Sequence, residues 1–486
     1  MEPTRTKIVA TVGPASGTPE GIRALIRAGV DVFRLNFSHG DHEEHAGYIR
    51  IIREAAQETG QPVGIMQDLQ GPRIRTGLLR GHKPVMLKEG AEVTVRGGAP
   101  EGAAGDFDGD AAEFAVTYDG LHSDVKPGGS ILLADGMIEL VVLKVEGASV
   151  RCRVKTGGEL GEHKGVNLPG IKLHIAVPTA KDVEDLHFGM DQRVDFVALS
   201  FVCSAADVVR LKKEMRSYGG PDAELPVIPK IERPEALDNL EEILAASDGV
   251  MVARGDLGIE MRTELVPGVQ KKIIRMANSM GVPVITATQM LESMVSSPRP
   301  TRAEAADVAN AILDGTDAVM LSAETSVGRY PATAAQTMDC IARETETHRR
   351  EEGGCAAPDI KVVANAPEHA LATAACMVAD TLKAAGIVPF TITGATARYV
   401  SQRRPDAPIF ALTPEERTLR RLTLLWGVTP VLVEVYESTD EMIKRGRARL
   451  LEMKLVAPGD TVVYLAGAST RTPGGSDMLK IEQFPK

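Results

Sequence analysis

Cysteine is scarce and scattered in this chain. Five occur in 486 residues: Cys152, Cys203, Cys340, Cys355 and Cys376. None forms a CxxC pair, which argues against a disulfide framework and for a reducing, cytoplasmic setting. No His or Cys pair lies near another at zinc-ligand spacing, so a zinc site is not expected. No apolar run approaches the roughly 20 residues of a membrane span. The N-terminal MEPTRTKIVATVGP has no apolar segment ahead of a small-residue cleavage site, so no signal peptide is expected. Basic blocks are also missing, and the net charge is -11. That excludes an extended nucleic-acid surface but leaves room for a local cationic pocket.

What is present is a repeated alternation of short apolar runs with helical patterns. The length calls for two to four domains. Eight runs stand out: KIVATVGP (7–14), DVFRLNFS (31–38), VGIMQDL (63–69), FVALSF (196–201), VIPKIE (227–232), GVMVARGD (249–256), PVITATQ (283–289) and AVMLSAE (318–324). Each begins apolar, as a strand buried on both faces should, and most end polar. Helical stretches such as PEGIRALIRAG and RPEALDNLEEILAAS lie between them. Eight βα units with polar strand ends are the pattern of a (β/α)8 TIM barrel, whose C-terminal face gathers catalytic groups. A doubly wound open sheet is the alternative.

Residues 72–170 interrupt this alternation with short β runs rich in Gly and Asp, including an acidic loop at 97–110. They read as a β-rich domain inserted after the third strand and able to act as a lid. A linker-like tract, RREEGGCAAPD, follows residue 348. Beyond it a third, α/β unit is expected. The division is 1–71 with 171–348 for the barrel, 72–170 for the lid and 349–486 for the C-terminal domain.

The strand ends carry the chemistry. Glu232 ends the fifth run and Asp256 the sixth. Adjacent strand ends in a barrel lie side by side, so both acids can reach one hard cation, and Mg²⁺ takes one or two carboxylates and fills its shell with water and phosphate. Salt-bridged acids are the plain alternative. Lys230 shares a strand face with Glu232, where a lysine can stabilise a phosphoryl group in transfer or simply balance the acids. Arg34, Asn36 and Ser38 alternate onto one face of the second strand; Asp68, Arg73 and Arg75 follow the third. The three arginines read as an anion clamp or as a solvated loop. Thr288 ends the seventh strand, and Ser322 with Glu324 shares a face of the eighth. Hydroxyls beside a carboxylate can relay a proton. Together these residues point to metal-assisted phosphoryl transfer on a small anionic substrate.

In the last unit, TITGATAR (391–398) passes from a strand into a helix. Thr391, Thr393, Gly394 and Thr396 offer hydroxyls and N–H groups to a phosphate, and Arg398 adds charge. An ordinary βα turn is the alternative.

The segments TKIVATVGPAS, FRLNFSHG, KGVNLPG, IPKIERPE, MVARGDLG, ITATQMLESM and RPTRAEAADVANAILDGTDAVMLSAET, in this order and spacing, resemble the pyruvate kinase family. The resemblance runs over essentially the whole chain. It implies a barrel, an inserted lid and a C-terminal effector domain, usually as a homotetramer, and transfer from phosphoenolpyruvate to ADP. By that resemblance Glu232 and Asp256 hold Mg²⁺ or Mn²⁺, and Lys230 stabilises the phosphoryl group in flight. Arg34 grips the substrate phosphate. Gly255 and Asp256 offer N–H groups to the substrate carboxylate, which Thr288 also contacts. Asn36, Arg75 and Lys164 lie at the nucleotide phosphates, and Ser322 and Glu324 fall where the enolate is protonated. Asp135 matches a lid acid, but Ala134 precedes it where many relatives carry a second acid. DLQGPRIR stands where potassium-dependent members read DTKGPEIR. Arg73 therefore replaces a glutamate beside a vestigial K⁺ site of Asn36, Ser38, Asp68 and the Leu69 carbonyl, and K⁺ is not expected to be required. The effector loop has no lysine, which favours AMP or a sugar monophosphate. A phosphoenolpyruvate/pyruvate-type barrel lyase and an inactive metabolite sensor are the rival functions.

Overall fold

The structure, a computed structural model, describes residues 4–98, 109–171, 175–220, 223–351, 367–435, 438–467 and 477–485. Most of the acidic loop (97–110) and most of the linker tract after residue 348 lie outside the described residues.

All eight expected runs form strands, and they close into one parallel barrel. In chain order they are Lys7–Thr11, Val32–Asn36, Gly64–Asp68, Phe196–Leu199, Val227–Ile231, Val250–Ala253, Val284–Ala287 and Ala318–Leu321. The open-sheet alternative is excluded by the pairing of the first strand with the eighth, Lys7 opposite Ala318. Side chains that alternate inward, such as Val9, Met66, Ile228, Met251, Ile285 and Met320, fill the barrel interior. Those that alternate outward, such as Ile8, Phe33, Ile65 and Val252, pack under the helices. A strand covered on both faces must be apolar throughout, which is why these runs do not alternate in sequence. The helix Pro19–Arg27 starts where Thr18 accepts the Gly21 N–H. The stretch RPEALDNLEEILAAS forms two helices instead of one, Pro234–Asp238 and Leu240–Ala246, because Asn239 leaves helical geometry between them.

After the third strand the chain builds a separate β-rich domain with a seven-stranded sheet and its own core around Val95, Phe114, Leu133 and Leu140. Its edge strand Ile74–Arg75 pairs with Gly165–Asn167, which places Arg75 and Lys164 on adjoining segments over the barrel mouth. The C-terminal domain is a five-stranded sheet, parallel except for its last strand, Met478–Gln483. That strand carries no sequence expectation here. Apolar clusters cover both faces of this sheet. Leu424 from this domain joins the apolar cluster of the barrel interior.

Candidate active site

The strands deliver their polar ends to one mouth, and an ion network forms there from residues far apart in sequence. Lys230, near the end of the fifth strand, is the centre. Its Nζ lies 2.6 Å from Glu232 Oε1 and 3.5 Å from Asp68 Oδ1, and donates to Ser200 Oγ over 2.9 Å. Arg34 Nε donates to Asp68 Oδ2 over 2.6 Å and its Nη1 to Thr11 Oγ1 over 3.0 Å. Burial works against the charge on Lys230, but Asp68, Glu232 and Asp256 outweigh it and hold the ammonium above its ordinary value. Burial likewise opposes ionisation of Asp68, yet Lys230 and Arg34 keep its carboxyl below the usual range. Glu232 behaves differently. Burial, reinforced by the Asp256 charge, pushes its carboxyl up to about 7 despite Lys230 beside it. Three carboxylates, Asp68, Glu232 and Asp256, thus stand against two central cations, Lys230 and Arg34.

That excess is what a divalent cation relieves. Glu232 Oε2 accepts the Phe201 N–H over 2.8 Å, which orients the carboxylate. Asp256 does not end a strand as expected. The sixth strand stops at Ala253 and Asp256 sits in the first turn of the helix Arg254–Glu260. Among the described residues no cluster of three or more His, Cys, Asp or Glu could hold a metal. Two hard carboxylates fit Mg²⁺, whose remaining ligands are water and phosphate oxygens, and do not fit a fully protein-ligated ion.

A cavity of ≈ 300 Å³ lies between this mouth and the lid domain, lined by His39, Arg73, Arg75, Asp135, Lys164 and Asp256 among others. Six basic side chains, counting His163 and Arg233, and three acids, counting Glu260, line this one space, a setting suited to phosphate. Burial and the charges of Arg73, Arg75 and Arg34 all lower the pKa of His39. Arg75 Nη1 donates to the His163 carbonyl over 3.1 Å. Asn36 Oδ1 accepts the Ser38 N–H over 3.2 Å, closing the turn after the second strand.

The remaining expected residues are placed less simply. The Gly255 N–H is not open: it donates to Thr288 Oγ1 over 2.8 Å, and that hydroxyl donates to the Ala287 carbonyl over 2.7 Å. Thr288 and Gln289 have φ of +68° and +54°, and Phe201 has +58°. Such backbone costs about 1–3 kcal/mol per residue and clusters at functional sites. Arg254 braces the Thr288 turn through its carbonyl, 2.6 Å away. Ser322 and Glu324 do not share a strand face. The eighth strand ends at Leu321, and Glu324 is buried in the short helix Ala323–Ser326. Its two oxygens accept the Leu291 and Ser322 N–H groups over 3.0 and 2.7 Å, so it acts as a brace. Ser322 Oγ is buried without a hydrogen-bond partner. Sequence reasoning missed Ser200 and the Phe201 N–H, because a serine at a strand end carries no signal until its partners are known.

In the C-terminal domain, Thr391 Oγ1 accepts the Gly394 N–H over 2.8 Å, and Thr418 Oγ1 donates to the Ile392 carbonyl over 2.6 Å. Thr393 is exposed. Thr396 lies in the first turn of the helix Ala395–Ser401. Arg398 has its Nε buried without a hydrogen bond and its guanidinium 5.8 Å from the Tyr399 ring.

The family model for the pyruvate kinase barrel domain matches residues 3–335, and that for the pyruvate kinase alpha/beta domain matches residues 369–482. The chain is 46% identical over 483 residues to pyruvate kinase 2 of Synechocystis, spanning 99% of this chain and 79% of that one. It is 42% identical over 478 residues to the pyruvate kinase of Clostridium acetobutylicum, spanning 98% and 99%. The crystal structure of a pyruvate kinase from Cryptosporidium parvum superposes with a TM-score of 0.89 at 37% identity, covering 99% of this chain and 96% of that one.

Proposed function

The chain belongs to the pyruvate kinase family, and from that premise we propose how its own residues divide the work of moving a phosphoryl group from phosphoenolpyruvate to ADP. The observation that carries the reading is Lys230, buried among Asp68, Glu232 and Ser200 at the mouth. Lys230 and Arg34 bind the phosphoryl group as it moves. The bond to the enol oxygen breaks, a bond to the ADP terminal phosphate oxygen forms, and the enolate takes a proton at carbon to become pyruvate. Family members need a divalent metal such as Mg²⁺; Glu232 and Asp256 would hold it, and when bound it supplies charge neutralisation on the phosphate oxygens. Arg73, Arg75 and Lys164 attract the nucleotide phosphates across the cavity, with Asn36 beside them, and Asp135 comes from the lid side. Thr288 and the Gly255 and Asp256 N–H groups take the substrate carboxylate. For that, Gly255 must exchange its bond to Thr288 for one to the substrate. With Glu324 committed to backbone, Ser322 is the group left to pass a proton toward the enolate. Incubation with phosphoenolpyruvate, ADP and Mg²⁺ tests the activity. Pyruvate and ATP should form in equal amounts; pyruvate formed without ADP would favour a lyase, and no pyruvate at all an inactive sensor.

K⁺ is not required, because Arg73 puts a permanent positive charge beside the vestigial site. Asp68 is engaged by Arg34, and the Leu69 carbonyl accepts the Ser200 hydroxyl over 2.7 Å. Activity in tetramethylammonium buffer should be unchanged by KCl at fixed ionic strength, and large activation would refute this. The 391–398 loop takes a phosphorylated effector, AMP or a sugar monophosphate. We also take the protein as a cytoplasmic homotetramer, divided at 1–71 with 171–348, 72–170 and 349–486. Separate apolar clusters in the barrel, the lid and the C-terminal sheet support this division, although Ile171 and Ile175 pack on the lid core and Leu424 on the barrel interior.

A further inference from the structure

The fourth barrel strand ends at Leu199, and the two residues after it turn sharply into the mouth. Phe201 adopts φ +58°, a left-handed backbone that a bulky residue takes up only when its surroundings require it. The turn aims two groups at the site: the Phe201 N–H at Glu232 and the Ser200 hydroxyl at Lys230. Ser200 is 2% exposed. Its Oγ accepts from Lys230 Nζ over 2.9 Å and donates to the Leu69 carbonyl over 2.7 Å. Asp68 Oδ1, 3.5 Å away, is a weaker competitor for that proton. The hydroxyl is thereby oriented, with its proton on Leu69 and its lone pairs toward the ammonium. Hydrogen bonds in such a chain polarise one another.

The other close contacts of Lys230 are carboxylates, and carboxylates cancel the charge the transferring group must feel. Glu232 would also be shared with the divalent cation. Ser200 differs in being neutral: it holds the position of Nζ without lowering its charge. We propose that Ser200 is a positioning residue for phosphoryl transfer, fixing the Lys230 ammonium through the chain Lys230–Ser200–Leu69 while not itself touching substrate. This rests on the reading of Lys230 as the transfer-stabilising group.

Kinetics of the full chain with phosphoenolpyruvate, ADP and Mg²⁺ test the proposal. Ser200→Ala should lower kcat on the order of 10- to 100-fold, as small misplacements of a catalytic group do, with KM for phosphoenolpyruvate within about twofold. Ser200→Thr keeps the hydroxyl and should recover most of the loss. In a Lys230→Arg background, Ser200→Ala should cost less than about twofold more, because its route of action is already gone. A purely structural serine would instead lower the thermal midpoint and cost the same factor in both backgrounds, which would overturn the proposal. If Ser200→Ala fails to fold, Ser200→Cys, of similar size but a poor acceptor, takes its place; full kcat in that variant also overturns it. Lys230→Met separates the two layers. Near-normal turnover there would remove the reading of Lys230, whereas an inactive Lys230→Met beside a fully active Ser200→Ala would refute the positioning role alone.

Discussion

The two ends of the barrel are both lined by ions, and they are balanced in opposite ways. At the floor, an aspartate precedes each even-numbered strand: Asp31, Asp195, Asp248 and Asp317. Each accepts the N–H that begins or adjoins the preceding strand, from Ile8, Ile65, Val227 and Val284, over 2.7–3.0 Å. Each also meets a base, and three of those bases tie the barrel to the C-terminal domain. Lys7, beside Asp31, reaches the Val428 carbonyl. Arg420 joins Arg53 on Asp195, and Arg404 binds Asp317 at 2.8 Å. Burial raises the carboxyls of Asp31 and Asp317 as it raises that of Glu232, so the contrast lies in the partners: at the mouth Lys230 is shared between Glu232 and Asp68, and Ser322 Oγ has no partner. Saturated charges hold a structure in one place. Unsaturated ones leave binding capacity for a ligand.

The sharpest way to break the contrast is to remove one charge from each end. Lys230→Met should lower kcat by about 10²–10³ or more, measured by pyruvate release, while the thermal midpoint moves less than in a floor variant, because Arg34 still pairs with Asp68 and Glu232, already pushed up to about 7, can take a proton. Asp195→Ala should do the reverse. Asp195 is fully buried between the partly buried Arg53 and Arg420, and breaking a buried ion pair costs up to about 3–5 kcal/mol. A large fall in thermal midpoint with near-normal kcat at 25 °C is expected.

A smaller effect comes from protons. Because Glu232 is raised from 4.5 to about 7, the metal-free folded state holds a proton that the unfolded chain releases between those values. Stability should therefore fall as pH rises from about 4.5 to about 7, and Glu232→Gln should remove that part of the slope in a denaturant titration. Mn²⁺ affinity should weaken as pH drops below about 7, since the proton competes for the carboxylate.

How much of this was legible follows from where the partners lie. The barrel strands could be read because two-sided burial forces apolar runs with polar ends. Lys230, Glu232 and Asp68 could be placed at the mouth by strand position. Ser200, the Phe201 N–H and the bracing of Glu324 could not, because their meaning lies in bonds to residues on other strands. Asp256 reads as a strand end in the sequence because a helix begins without a sequence break after Ala253. The floor aspartates escaped for the same reason: Asp317 and Arg404 are 87 residues apart, and only the fold makes them a pair.

Two subtler tests remain. Arg73→Glu should shift the enzyme toward K⁺ dependence by reversing one charge at the mouth, seen as activation by KCl at constant ionic strength. Thr396→Glu should abolish the response to AMP or sugar monophosphates by setting like charge against the phosphate, with basal kcat unchanged. Unaltered activation would remove the 391–398 loop from consideration.

The decisive experiment measures kcat and thermal midpoint side by side for Lys230→Met and Asp195→Ala. Activity should collapse with stability kept in the first, and stability should collapse with activity per folded molecule kept in the second. If both variants lost both properties to the same degree, the division of labour between mouth and floor would be refuted.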